Sequence, residues 1–316
     1  MSDWRPTATR ATLQRRAQML ASARRFFADR SVLEVETPVV VNAPVTDVHL
    51  ESARVLLANA PACFLHTSPE YAMKRLLAAG SGDIYQICHV VRGFERGRLH
   101  NSEFTLIEWY RTGFSLAQLM SEMEELVRAL LGSGSLAAER LTYRQAFEQH
   151  LQLDPFTATD AQLAATARRS GYQSAAASRD EWLEFLMGAQ IGPKLGLGRL
   201  TFIHGYPASQ AALARLDPHD SRAALRFELY HEGVELANGF HELASATEQR
   251  LRFEADRAER LRLGLPCYPL DERLLAALQA GLPDCAGVAL GFDRLVMLAT
   301  QARSIDEVLT FPTERA

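Results

Sequence analysis

The sequence predicts an α+β fold built on a largely antiparallel sheet. Strand signals lie close together and are joined by short turns, while the helical stretches are set apart from them. No strand–helix–strand alternation and no glycine-rich loop of the Walker or dinucleotide type is present, which removes the commonest nucleotide-binding folds. The composition is globular, with 316 residues of which 47% are hydrophobic and 23% charged. A chain of this length buries a large core without staples. A single domain over 1–316 is expected, interrupted by a mostly helical insertion at about 132–190.

The elements follow in chain order. Residues 11–30 read as an amphipathic helix, with Leu13, Leu20, Phe26 and Phe27 on one face and Arg15, Arg16, Arg24 and Arg25 towards water. The β-branched run Glu34–Val41 contains Pro38 and is followed by Pro44, so it is extended and lies at an edge or strand end. Ser68-Pro69-Glu70 places a cap, a proline and an acid at a helix start, giving a helix over 69–79 that stops at Gly80. Ile84–Val91 and Phe104–Tyr110 read as strands. A helix spans 115–131, with Ser115 as cap and Gly132 as stop. After the Ala-rich segment, strands return at Leu200–His204, Arg226–Tyr230 and Val234–Ala237, the last two flanking His231-Glu232-Gly233 as a hairpin turn. Helices are expected at 245–263 and 272–280. Val288-Ala289-Leu290 is a strand that meets a helix at Gly291.

Charge and cysteine usage exclude several functions. The net charge of −4 is no electrostatic footprint for holding a nucleic acid. Cys63, Cys88, Cys267 and Cys285 have no close pair, so neither a zinc knuckle nor a redox pair fits. Reduced thiols in the cytoplasm are the expectation. No apolar run approaches the ~18 residues of a membrane span, and Met1–Arg10 lacks the apolar core of a secretory signal.

Three stretches carry chemistry. Between the strands at 84–91 and 104–110 lies Arg92-Gly93-Phe94-Glu95-Arg96-Gly97-Arg98-Leu99-His100-Asn101, a loop suited to phosphate oxygens or else a solvated basic turn. The strand after it puts Glu108 and Tyr110 on one face, as a pocket would. Glu228 and Glu235 lie across the predicted hairpin. They are either exposed acids on a turn or a pair that needs a cation between them, such as magnesium shared with nucleotide phosphates. Asn238 and Glu242 follow on the same segment. In Gly287–Arg294 a strand turns into a helix at Gly291, and Arg294 in the first helical turn opposes the helix dipole unless a phosphate is its partner.

Taken together these stretches resemble the motifs of the class II aminoacyl-tRNA synthetases. Glu36-Thr37-Pro38 resembles the first motif, residues 91–110 the second and Gly287–Arg294 the third. Thr67-Ser68-Pro69-Glu70, His100–Thr105 and Glu235–Glu242 are similar to lysyl-tRNA synthetase. The likeness runs from about residue 11 to 312. The first motif begins by residue 34, which leaves no room for the anticodon-binding barrel of those enzymes. The pattern therefore resembles the synthetase paralogues that attach (R)-β-lysine to a lysine of elongation factor P.

The resemblance implies a class II synthetase-like catalytic domain that uses ATP and Mg2+, acts as a homodimer and binds no tRNA stably. It implies that Arg92 grips the α-phosphate and the substrate carboxylate, and that His100 and Arg294 meet the γ-phosphate. Asn101, Leu236 and Gly291 would line the nucleotide site, Phe104 would stack on adenine, and Glu228 and Glu235 would hold magnesium. Glu70, Glu108, Tyr110, Asn238 and Glu242 would form the amino-acid pocket, with Ser68 and Pro69 on its wall. Two departures stand out. The family's Arg-x-Glu is here Arg92-Gly93-Phe94-Glu95, which leaves Glu95 without an assigned role. Ala289 replaces a glycine of the lysyl enzymes, and its methyl would disfavour α-lysine relative to the β-amino isomer.

Overall fold

The computed structural model describes residues 4–58, 62–93, 96–174 and 177–316. Phe94 and Glu95, the shifted acid of the second motif, lie outside the described residues. The chain opens with α1 (Arg10–Ala28), whose first turn is capped by the Thr9 hydroxyl accepting the Thr12 N–H at 3.1 Å. Short strands β1 (Leu33–Glu34), β2 (Val40–Val41), β3 (Arg54–Val55) and β4 (Cys63–Leu65) follow, then α2 (Glu70–Ala78). The long pair β5 (Ile84–Val91) and β6 (Glu103–Thr112) precedes α3 (Leu116–Leu131). The helix α3 begins with a reciprocal capping box between Ser115 and Gln118 and ends at Gly132 in the left-handed region, as the residue types there predict.

The segment expected to be helical contains α4 (Tyr143–Leu151), α5 (Asp160–Arg169) and α6 (Arg179–Leu186), but it opens with a strand, β7 (Ala138–Thr142). Ala-Glu-Arg-Leu-Thr shows no alternation, because β7 is an edge strand of intermediate burial paired in parallel with the next strand. That strand, β8 (Leu200–Pro207), is followed by β9 (Ala223–His231) and β10 (Val234–His241). The turn between β9 and β10 is two residues long, Glu232 and Gly233, both at positive φ (50° and 70°). That conformation twists with the strands it joins. The helices α7 (Ala246–Arg262) and α8 (Glu272–Gly281) lead to β11 (Cys285–Gly291) and α9 (Phe292–Thr300).

Eight strands form one sheet in the order β1-β5-β6-β11-β10-β9-β8-β7, antiparallel throughout its centre and parallel only at its two edge pairs. A second, three-stranded sheet has the order β2-β4-β3. The centre of the large sheet separates two unlike layers. On one face Phe27 of α1, Leu119, Met123 and Leu126 of α3, and Leu295 of α9 pack on Ile107, Trp109, Val288 and Leu290. Burial of side chains of this size contributes roughly 1.5–3 kcal/mol each, so this face is the molecule's main apolar core. On the other face α2 and α8 pack around Leu77, Leu274 and Leu278, and α4–α6 cover the β8 and β9 end through Tyr143, Phe147, Leu183 and Tyr206. The stretch of sheet between those two clusters is roofed by neither and forms the floor of a cavity.

Candidate active site

The cavity encloses about 1160 Å³ of empty space, mouth included. Its floor comes from three neighbouring strands. β6 contributes Leu106, Glu108 and Tyr110, and β11 contributes Gly287, Ala289 and Gly291, alternate residues in each case. β10 contributes Glu235 and Asn238, and Glu242 follows just past its end, a spacing that does not keep the period of two. The register of β10 on β9 slips between Glu235 and Ala237. That bulge takes up one residue and turns Glu235 to the same side as Asn238 and Glu242. Across the floor Glu108, Ala289 and Asn238 form one cross-strand row.

One end of the cavity is rich in arginine. Arg294 stands in the first turn of α9, where its guanidinium donates to the carbonyl of Glu235 at 2.8 Å and to that of Leu99 at 3.3 Å. Its third contact is His100 Nε2 at 2.7 Å. A guanidinium only donates, so His100 accepts there and carries its proton on Nδ1. The start of α9 is fixed by Asp293, whose buried carboxylate accepts the Thr105 N–H at 2.7 Å and pairs with Arg16 of α1. Arg16 also donates to Thr105 Oγ1 at 2.8 Å. The Arg92 guanidinium lies 5.1 Å from the Phe104 ring centroid. Its Nε is buried without a hydrogen-bond partner among the described residues. An unpartnered buried donor is costly, and an anionic ligand in the cavity would relieve it. Burial and the nearby Glu228 carboxylate push the Glu235 carboxyl upward, against the pull of Arg294.

The other end is acidic. Glu108 accepts from Ser68 Oγ and from the Tyr110 hydroxyl, both at 2.8 Å. Burial, reinforced by the Glu70 carboxylate, pushes the Glu108 carboxyl up to about 8. Burial also raises Glu242, to about 7, although the Lys74 ammonium draws it down. Lys74 Nζ lies 2.7 Å from Glu70 Oε1 and 2.6 Å from Glu242 Oε2. Burial pulls its titration down, but Glu242 and Glu70 overcome that and hold the ammonium above its ordinary range. Gly287 is required here. A Cβ on it would come within 2.3 Å of the Tyr110 ring and 2.6 Å of Glu242 Oε1. At Gly291 the same atom would make ordinary contacts of 3.6 and 3.7 Å, so the protein itself places no such demand there.

Of the residues singled out in the sequence, Ser68, Glu70, Arg92, His100, Asn101, Phe104, Glu108, Tyr110, Glu235, Leu236, Asn238, Glu242, Ala289, Gly291 and Arg294 line this cavity. Two do not. Pro69 is the N-cap of α2 and faces a neighbouring groove. Glu228 sits under the inserted helices, where its carboxylate takes the Arg226 guanidinium at 2.5 Å and the Tyr230 hydroxyl at 2.6 Å. Its cross-strand partner is Asn238, while Glu235 faces Tyr230, so the two acids are diagonal rather than opposed. The Asn101 amide is committed to the backbone, donating to Glu103 O at 2.7 Å and accepting Thr313 N–H at 3.1 Å. Sequence reasoning missed Lys74, Asp293 and Gly287 as parts of the site. The i,i+4 spacing of Glu70 and Lys74 on a predicted helix was a readable signal for the first.

Carboxyls raised above the ordinary 4.5 bind more protons in the folded protein than in the unfolded chain between about pH 5 and 8. Stability is therefore lost as pH rises through that window. Thermal unfolding of the ligand-free protein should show this fall between pH 5 and 8, and Glu108→Gln should flatten it. An identical slope in the variant would remove Glu108 from the account.

Comparison with known proteins gives the lineage. The family model described as tRNA synthetases class II (D, K and N) matches residues 1–315. A protein of Klebsiella pneumoniae named elongation factor P–(R)-β-lysine ligase is 49% identical over all of this chain and 99% of its own length. Proteins of the same name from Vibrio cholerae and Edwardsiella ictaluri are 50% and 48% identical, again over all of this chain and 99% of theirs. With its antiparallel sheet and the second and third motifs meeting at one cavity, the chain belongs to the class II tRNA synthetases of the D, K and N group.

Proposed function

We propose that this protein activates (R)-β-lysine with ATP and transfers it to a lysine side chain of elongation factor P. The observation that carries the reading is one cavity with an arginine-lined end and an end of three buried carboxylates, in a chain aligned end to end with relatives named for that reaction. A lysine isomer brings two ammonium groups, and carboxylates replace the hydration it loses on entry. The net charge of −4 offers no general hold on tRNA. Cysteines that form no disulfide among the described residues accord with a cytoplasmic setting, and no helix among the described residues is long and apolar enough to cross a membrane.

In this reading Arg92 holds the substrate carboxylate against the α-phosphate. A carboxylate oxygen attacks that phosphorus and the bond to pyrophosphate breaks. Arg294 and His100, locked by the Glu235 and Leu99 carbonyls, meet the departing phosphates, while Phe104 offers its ring to the base and Gly291 and Leu236 line the site. Glu235 faces the cavity and would hold magnesium only together with the nucleotide phosphates, since no group of three metal-binding side chains is found among the described residues. Magnesium bound there with the phosphates would neutralise charge on the leaving group. Glu228 would first have to loosen its pairing with Arg226. The acceptor amine then attacks the adenylate carbonyl and AMP leaves. Fixed positions and fixed charges do this work, with no covalent enzyme intermediate.

The test is the intact mass of elongation factor P after incubation with the enzyme, ATP and each lysine isomer. One added lysyl unit with (R)-β-lysine is expected, and Glu235→Gln should abolish it while circular dichroism stays unchanged. An unmodified substrate would refute the reading. The methyl of Ala289, between Glu108 and Asn238, should set the isomer preference. A methyl is worth roughly 1–3 kcal/mol in such discrimination, so Ala289→Gly should raise kcat/KM for α-lysine more than for (R)-β-lysine. An unchanged ratio would place selectivity elsewhere. The protein should also be a homodimer, as Leu33, Val39 and Val40, which flank the first motif, stand exposed in the single chain. Light scattering that gives the 35.1 kDa of one chain would exclude it.

A further inference from the structure

Lys74 has no part in the reactions above, yet it sits at the centre of the acidic end. Its side chain is 1% exposed, and its ammonium touches Glu70 of its own helix and Glu242 beyond the end of β10. The third carboxylate, Glu108, is held only by the neutral donors Ser68 and Tyr110. Among the described residues, the other groups around Lys74 bring no second cation to these acids. The helix α8, packed against α2, buries Leu274, Leu275 and Leu278. β11 presents the Cys285 thiol, which burial and Glu242 push upward. Tyr71, next to Glu70, turns to Thr46 and Asp256. Arg215 pairs with Asp284 at the surface. With every acid ionised, three negative charges and one positive leave a net charge of −2. That matches the two ammonium groups of a lysine isomer whose own carboxylate faces Arg92.

We propose that Lys74 is a positioning residue for the amino-acid pocket: it pins Glu70 and Glu242 side by side and sets the pocket charge to suit a molecule with two ammonium groups. Without it, neighbouring carboxylates repel and the pocket takes up a proton instead. A protonated acid no longer attracts an ammonium, so binding of the amino acid becomes dependent on pH. The inference rests on the proposed lysine substrate.

The experiment is amino-acid-dependent exchange of pyrophosphate into ATP, which needs no acceptor protein, measured from pH 6 to 9 with (R)-β-lysine and α-lysine. Removing an opposite charge at this range raises a carboxyl by about one to three pH units. In Lys74→Met the acidic limb of kcat/KM for the amino acid should therefore move up by at least about one unit. With Glu242 near 7 to begin with, that is a loss of about five-fold or more at pH 7 that recovers towards pH 9, with KM for ATP little changed. Lys74→Arg keeps the cation and should keep the wild-type limb. A Lys74→Met profile that overlays the wild type, or one lowered equally at every pH, would overturn the proposal by marking Lys74 as packing alone. If Lys74→Met does not fold, Lys74→Arg decides, because a displaced limb there is incompatible with a role for the charge. Exchange absent from the wild type with both isomers would instead overturn the functional reading.

Discussion

The constraint on which this architecture turns is the burial of carboxylates beneath a sheet. Glu108 and Glu242 are each 2% exposed and Glu70 is 9% exposed. Carboxylates so placed are stable only with partners. Each partner comes from a different part of the chain. Ser68 is supplied by the turn before α2, Lys74 by α2 itself and Tyr110 by β6. The close approach of Tyr110 and Glu242 to β11 requires the bare backbone of Gly287. The packing of α2 and α8 over this end of the sheet is therefore as much a polar requirement as an apolar one. A helix that moved away would leave the acids without their cation.

The opposite end solves a related problem with the reverse sign. Two arginines stand in a cavity whose nearby acid, Glu235, comes no closer than 3.8 Å to Arg294. Arg294 is oriented by backbone carbonyls, which hold its fork in place and leave its charge available. Its helix cannot shift, because Asp293 ties the first turn of α9 to β6 and to α1. The second and third motifs recognisable in the sequence are thus joined, with α1, by one buried ion pair and its hydrogen bonds. Preorganised charge of this kind favours a reaction in which charge moves between phosphate oxygens. Cations at one end and acids at the other place the two halves of a zwitterionic substrate in a single direction.

Much of this was legible in the chain. Ser115 with Gln118, Gly132, and Glu232-Gly233 are local signals, and the structure places a cap, a stop and a turn there. Glu108 and Tyr110 were readable as one face because a regular strand repeats every two residues. The strand β7 was not, since an edge strand of intermediate burial has no apolar alternation to display. The engagement of Glu228 by Arg226 and Tyr230 was hidden for a different reason. The three alternate along one strand, but whether that face opens to a cavity or lies under α4–α6 depends on a segment far away in sequence.

The sequence by itself determined the α+β class, the antiparallel core of the sheet and the family, because caps, turn residues, strand periods and motif text are local properties. Which side chains meet was decided only by the tertiary structure. Glu235 and Glu242 are an odd number of residues apart, and a regular strand would send them to opposite faces. The bulge between Glu235 and Ala237 brings them to one floor. Lys74 could be paired with Glu70 from helical spacing alone, but its second partner, Glu242, lies 168 positions further along the chain. Bringing those charges together takes the folding of α2 onto the sheet, and no local rule of the chain contains it.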